Sequence, residues 1–163
     1  MKNLNFIDTK KNKKCNKKVI KLYNEAFPKE ERIPIWLLKK LARKNKAHFY
    51  GIYDKETRGK GYGSKILEFI KQTHKKHRII LCIEQMDKNS NNYEQRKKRK
   101  EFYMKNGFKD ANYSVKEKGV VYDMLYYNED DKTVEIQEFK ELMKNYFGKI
   151  LYQHFYKKGD FSN

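Results

Sequence analysis

The chain has little with which to cross-link or stiffen itself. Its 163 residues include only two cysteines, two prolines and one tryptophan. Cys15 and Cys82 are too few and too far apart to suggest a disulfide framework or a zinc site, so no metal and a reducing cytoplasm are the expectations. No apolar run approaches the roughly 20 residues that a membrane helix needs. The N-terminus is polar and Lys-rich, without the apolar stretch of a signal peptide, and no membrane partner is expected. Acidic residues are also in deficit, 21 Asp+Glu against 39 Lys+Arg, for a net charge of +18.

That balance predicts attraction to polyanions: nucleic acid, an anionic surface or a phosphorylated small molecule. A second reading stands beside it. Lys, Asn, Ile and Tyr dominate the chain, as a bias toward A/T-rich codons would produce, and the lysines are spread through every segment. Aromatic residues make up 15%, including 13 Tyr and 10 Phe, which favours a folded chain with a tyrosine-rich core. The length suits one domain of ordinary size.

The most informative stretch is Arg58-Gly59-Lys60-Gly61-Tyr62-Gly63-Ser64. Glycine tolerates positive φ and lets a ligand approach the backbone, so such a loop can turn several N–H groups onto a phosphate. The apolar-periodic segment that follows, with Ile66, Leu67 and Ile70, predicts a helix whose free N–H groups and positive dipole end add to the site. Ser64 is placed to cap it. No Gly-Lys-Ser/Thr closes the loop, so it is not a P-loop. The dinucleotide fingerprint fits only loosely, without an acidic ribose reader in the expected place.

Around this loop the pattern alternates. Asn5-Phe6-Ile7 reads as a short strand and Lys10 to Lys14 as a basic link. Val19, Ile20, Tyr23, Ala26 and Phe27 give a helix over 17–27, and Ile35-Trp36-Leu37-Leu38 with Leu41 a second, short one ending near Asn45, with Trp36 in the core. His48 to Tyr53 is strand-like. Ile79-Ile80-Leu81-Cys82-Ile83 suits a strand buried on both faces. Glu94 to Asn106 is a very basic helix closed by Gly107. Tyr113–Lys116 and Val120–Tyr127 pair across a turn at Glu117-Lys118-Gly119. A long helix follows, striped by Ile136, Phe139, Leu142, Met143, Tyr146, Phe147, Ile150, Leu151 and Phe155, with Gly148 as a possible bend.

The loop, a helix, a buried strand and a helix ending in Phe102-Tyr103-x-x-x-Gly107-Phe108 form an ordered set. This set resembles the GNAT superfamily of acyl-CoA-dependent N-acyltransferases over roughly Ala47 to Tyr127. Arg58, Gly61 and Gly63 match its Gln/Arg-x-x-Gly-x-Gly/Ala signature, and Phe102, Tyr103, Gly107 and Phe108 match its second signature. The resemblance implies acetyl-CoA as co-substrate, its diphosphate held by Arg58, Gly59, Lys60, Gly61, Tyr62, Gly63 and Ser64. It implies Tyr103 as the general acid that protonates the departing thiolate. Glu84, at the end of the buried strand, is the candidate base, with Glu30 and Glu31 weaker candidates near the acceptor. Arg96 and Arg99 stand where the family commonly has Asn and Ala; they would reach a CoA phosphate or form a solvated basic face. His48 is expected to be a strand residue.

The family normally runs through a further antiparallel strand pair before the glycine loop. Only Lys55, Glu56 and Thr57 separate Asp54 from Arg58, and two strands with their turn need about fifteen residues. The expected fold is therefore α+β: a mixed, mostly antiparallel sheet flanked by helices, shortened by about two strands, with a long C-terminal helix. The expected organisation is a domain over 1–128 and a C-terminal amphipathic helix over 129–163, packed on the domain or on a partner. The expected activity is transfer of an acetyl group to a primary amine, small molecule or peptide, with a homodimer possible. A degenerate CoA-binding or interaction module is the alternative. A nucleic-acid binder is disfavoured, because the basic Arg96–Lys100 run comes with none of the standard readout motifs.

Overall fold

Asn12 decides where the first helix starts. Its side chain accepts a hydrogen bond from the Cys15 N–H at 2.9 Å, the geometry of an N-cap. Helix α1 therefore spans Lys13–Ala26 and takes in part of the expected basic link. The computed structural model describes residues 5–27, 32–44, 47–48, 50–53, 61–117, 119–156 and 159–162. Glu30, Glu31 and the stretch 54–60, which contains Arg58, Gly59 and Lys60, lie outside them.

The chain divides into two compact units, Met1–Gly61 and Tyr62–Asn163. In the first, strand β1 (Asn5–Asp8) pairs antiparallel with β2 (Tyr50–Tyr53). Helix α2 (Ile35–Arg43) buries Leu37, Leu38 and Leu41. Trp36, expected in the core, is 61% exposed; it lies on the opposite face of that short helix. Ahead of α2, Arg32 donates to the carbonyls of Asn24 and Phe27 at the end of α1, and the Tyr23 hydroxyl accepts from the Ile33 N–H at 2.8 Å.

The second unit opens with α3 (Tyr62–Thr73) and continues through β3 (Ile79–Glu84), α4 (Tyr93–Lys105), β4 (Lys109–Glu117) and β5 (Val120–Tyr127). Then come α5 (Ile136–Phe147), α6 (Lys149–Phe155) and a two-residue strand, β6 (Phe161–Ser162). The sheet order is β3-β5-β4-β6 and every described pairing is antiparallel. The α+β class expected from the sequence is the class observed, but no parallel pair makes the sheet mixed among the described residues. Glu117 faces Val120 across a two-residue turn, and Gly119 supplies the positive φ of 90° that such a turn requires. Strand β4 starts four residues earlier than expected. It carries an irregularity between Asp110 and Ser114, with Asn112 at φ 59°, which breaks the alternation that a sequence pattern can show.

Strand alternation sends side chains to two cores. On one face Leu67, Ile83, Phe108 and Leu125 pack together, with Phe102, Tyr103 and Tyr127 beside them. On the other, Tyr113, Val115 and Met124 meet Phe139 of α5 and Tyr156 just after α6. The expected boundary at 128/129 thus lies within the second unit, whose own sheet receives α5. The long C-terminal helix is instead two helices. Gly148, at φ 82°, ends α5 and turns the chain. Both helices send apolar side chains to the second of these cores, Met143 and Phe147 from α5 and Tyr152 and Phe155 from α6, whereas Leu142 and Ile150 of the expected stripe are exposed.

Glu138 fastens α5 twice. It forms a capping box with Glu135, and its two carboxylate oxygens accept from Arg78 at 2.8 and 2.7 Å. The Arg78 guanidinium, helped by the Glu135 N–H, holds the Glu138 carboxyl down at about 2. A depressed carboxylate stabilises the fold above its unfolded pKa, near about 4.3, and that contribution is lost as pH falls toward the folded value. The melting temperature should therefore decline between pH 4.5 and 2. In Glu138→Gln it should start lower at pH 7 and decline less across that window. Parallel curves for the two proteins would contradict the assignment.

Candidate functional site

The segment Tyr103-x-x-x-Gly107-Phe108 has a purely mechanical explanation. Gly107 donates to the Met104 carbonyl at 2.9 Å and Phe108 to the Tyr103 carbonyl at 3.1 Å, with Gly107 at φ 80°. This is the Schellman ending of a helix, and the apolar contact that accompanies it is the pair Tyr103–Phe108, with ring centroids 5.8 Å apart at 72°. The C-cap thereby sets the Tyr103 ring. Phe102 stands on its other side at 5.3 Å and 67°. Tyr103 is half-buried, and its hydroxyl makes no hydrogen bond among the described residues. A phenol held by its ring and free at its oxygen can donate a proton to something that arrives.

The opening of α3 lies in the same unit. Tyr62 begins the helix, so the backbone N–H groups of Gly63 and Ser64 belong to its first turn, where helices leave donors without intrahelical acceptors. Ser64, expected as the cap, sits inside that turn; the helix starts three residues earlier than a Ser64 cap would start it. The two described loop glycines answer different needs. Gly61 takes φ 69°, and a Cβ there would meet nothing within 4 Å, so its requirement is conformational and the space beside it is open. A Cβ on Gly63 would lie 2.8 Å from Cζ of Phe102, so its requirement is close approach. The first signature and the second therefore touch: Gly63 makes room for Phe102.

Helix α4 is held down at its basic end by charge. It buries no residue fully. Arg99 Nη1 lies 2.5 Å and Arg96 Nη2 3.5 Å from the Glu84 carboxylate at the end of β3. Lys100 Nζ lies 2.7 Å from Asp110 and 3.1 Å from Asp123. Burial pulls the Lys100 ammonium down, but its two carboxylates more than offset this and the net direction is up. Asp123 also accepts from Ser114 and Gln85. The sequence alone did not reveal these contacts, because the acidic partners come from three strands. They place three of the basic residues of the 96–100 run in ion pairs with the protein's own sheet. Glu84, the candidate base, has both oxygens engaged by arginines.

Lys71 ties α3 to the far end of α4. Its ammonium donates to the Asn106 carbonyl and lies 4.1 Å from the centroid of the Tyr127 ring. In the first unit an apolar pocket between α1 and α2, lined by Val19, Ile20, Tyr23, Ile35 and Leu38, holds none of the expected site residues. His48 lies beside Tyr50 with ring centroids 6.3 Å apart. Among the described residues no group of three or more His, Cys, Asp or Glu could hold a metal, and no helix is long and apolar enough to cross a membrane.

Residues 44–110 match the model of the acetyltransferase (GNAT) domain. That segment contains the glycine loop, α3, β3 and α4, and it runs through Gly107 and Phe108. No curated protein and no solved structure matches the chain. Both signatures lie inside the matched segment, so over residues 44–110 the chain is similar to the acetyltransferases of the GNAT superfamily.

Proposed function

We propose that this chain transfers an acetyl group from acetyl-CoA to a primary amine by direct attack within a ternary complex. The observation that carries the reading is the Tyr103 phenol, whose ring is fixed by a helix ending while its hydroxyl is left without a partner among the described residues. The domain match supports acyl-CoA as the donor class. The amides of Tyr62, Gly63 and Ser64 would receive the CoA diphosphate. The open space at Gly61 suits a close ligand, and Arg58, Gly59 and Lys60 would complete the grip. Each charge–helix contact of this kind is worth roughly 0.3–1 kcal/mol when exposed, so affinity is shared among several donors.

In the reaction the neutral amine nitrogen attacks the thioester carbonyl carbon and forms the C–N bond. The tetrahedral intermediate collapses, the C–S bond breaks, and Tyr103 gives its proton to the leaving sulfur. The proton lost by the amine goes to water or to Glu84, which acts as base in this reading by exchanging one arginine contact for that water. Tyr103 then recovers a proton from solvent. The products are an acetamide and CoA with a free thiol. Holding the two reactants in line supplies a large share of the rate.

The test is thiol release from acetyl-CoA with a panel of small and peptide amines. Acceptor-dependent release supports the reading. CoA binding without release for any acceptor would leave a degenerate CoA-binding module instead.

A further inference from the structure

We infer that Phe102 is a positioning residue for the proposed transfer: it sets the distance between the amides that open α3 and the phenol of Tyr103. This inference rests on the acetyl-transfer reading above. The Phe102 ring is closed on Gly63, where an added Cβ would lie 2.8 Å from Cζ and 3.3 Å from Cε2. The same ring stands edge-on to Tyr103, with centroids 5.3 Å apart. Its inner side is packed against the cluster of Leu67, Ile83, Phe108 and Leu125, which keeps it from retreating. One ring therefore touches the first turn of α3, the acid and the core.

The chemistry makes this spacing matter. A thioester gripped by its diphosphate at one end must bring its sulfur to the phenol at the other. The separation of those two points is then a property of what lies between them, and a misplacement of about 1 Å can cost on the order of a hundredfold in rate. Phe102 has no polar side-chain atom, so it neither holds the diphosphate nor moves a proton. Its effect is exerted through Gly63 on one side and Tyr103 on the other.

The experiment compares Phe102→Ala, Phe102→Leu, Gly63→Ala and the double variant Gly63→Ala/Phe102→Leu. Each is measured well below its melting temperature for kcat and KM in thiol release, and for CoA affinity by calorimetry. Phe102→Ala should lower kcat by about 10- to 100-fold while CoA Kd stays within about threefold. Phe102→Leu, which keeps part of the bulk, should fall less. Gly63→Ala should lower kcat like Phe102→Ala, and adding Phe102→Leu to it should recover about tenfold, because the smaller side chain vacates the space the new methyl needs. A folded Phe102→Ala with wild-type kcat, showing only a lower melting temperature, would overturn the inference. So would losses that simply multiply in the double variant. Wild-type turnover with an indifferent Phe102 sinks this inference alone. Wild-type CoA binding without turnover sinks the transfer reading and this inference with it.

Discussion

Tyr103→Phe lowers kcat for thiol release by about 10²- to 10⁴-fold, the usual worth of a positioned general acid, and leaves CoA affinity nearly unchanged. The substitution is informative because it removes one atom and little else. The ring contacts with Phe102 and Phe108 belong to the aromatic face, which phenylalanine keeps. The helix ending that orients residue 103 uses only its backbone carbonyl. The hydroxyl has no hydrogen bond to lose among the described residues, so stability should not fall. The measurement is steady-state kinetics beside a thermal melt and CoA calorimetry. A variant with wild-type kcat would remove Tyr103 from the chemistry and leave it as an aromatic lining residue. A variant that loses CoA binding and kcat together would mean the phenol serves the ground state.

Leu125→Ala costs about 2–5 kcal/mol of folding stability, in the range for large-to-small changes at a fully buried site. Leu125 is 0% exposed on β5, which has a ladder neighbour on each side and so cannot easily relax into the cavity. It belongs to the cluster that backs Phe102 and Tyr103. A urea titration should show the midpoint drop with an unchanged slope. Met124, its neighbour on the opposite face, is equally buried but packs toward α5. Met124→Ala should therefore destabilise similarly with the smaller effect on transfer. Equal loss of activity per unit of lost stability in both variants would contradict the view that one face of the sheet carries the site.

The features legible in the sequence were those written locally. Strand β5 was read at its observed limits, because an apolar run and a Lys118-Gly119 turn are local signals. The end of α4 was marked by Gly107, since only a residue at ease with positive φ suits that position. The glycine loop and the Phe-Tyr ending carry the resemblance to the GNAT superfamily, and both lie in the segment that matches its domain model. The features missed were set by distant partners or by a break. Trp36 is apolar, yet the first unit buries Leu37, Leu38 and Leu41 instead. The C-terminal stripe read as one helix because periodicity does not register a 148-centred turn until its φ is known. The charge anchoring of α4 was invisible because Glu84, Asp110 and Asp123 lie far apart in sequence. Gly63 read as a phosphate-loop glycine, and its contact with Phe102 emerges only in three dimensions.

In the proposed function, the first turn of α3 and the loop before it grip the diphosphate of coenzyme A. Calorimetric titration of the chain with CoA tests it most directly. One site is expected, with Kd in the range of roughly 1 μM to 1 mM, weakening as salt screens the contacts. A folded protein that gives no binding heat at millimolar CoA and low salt, and whose melting temperature CoA does not raise, would contradict it.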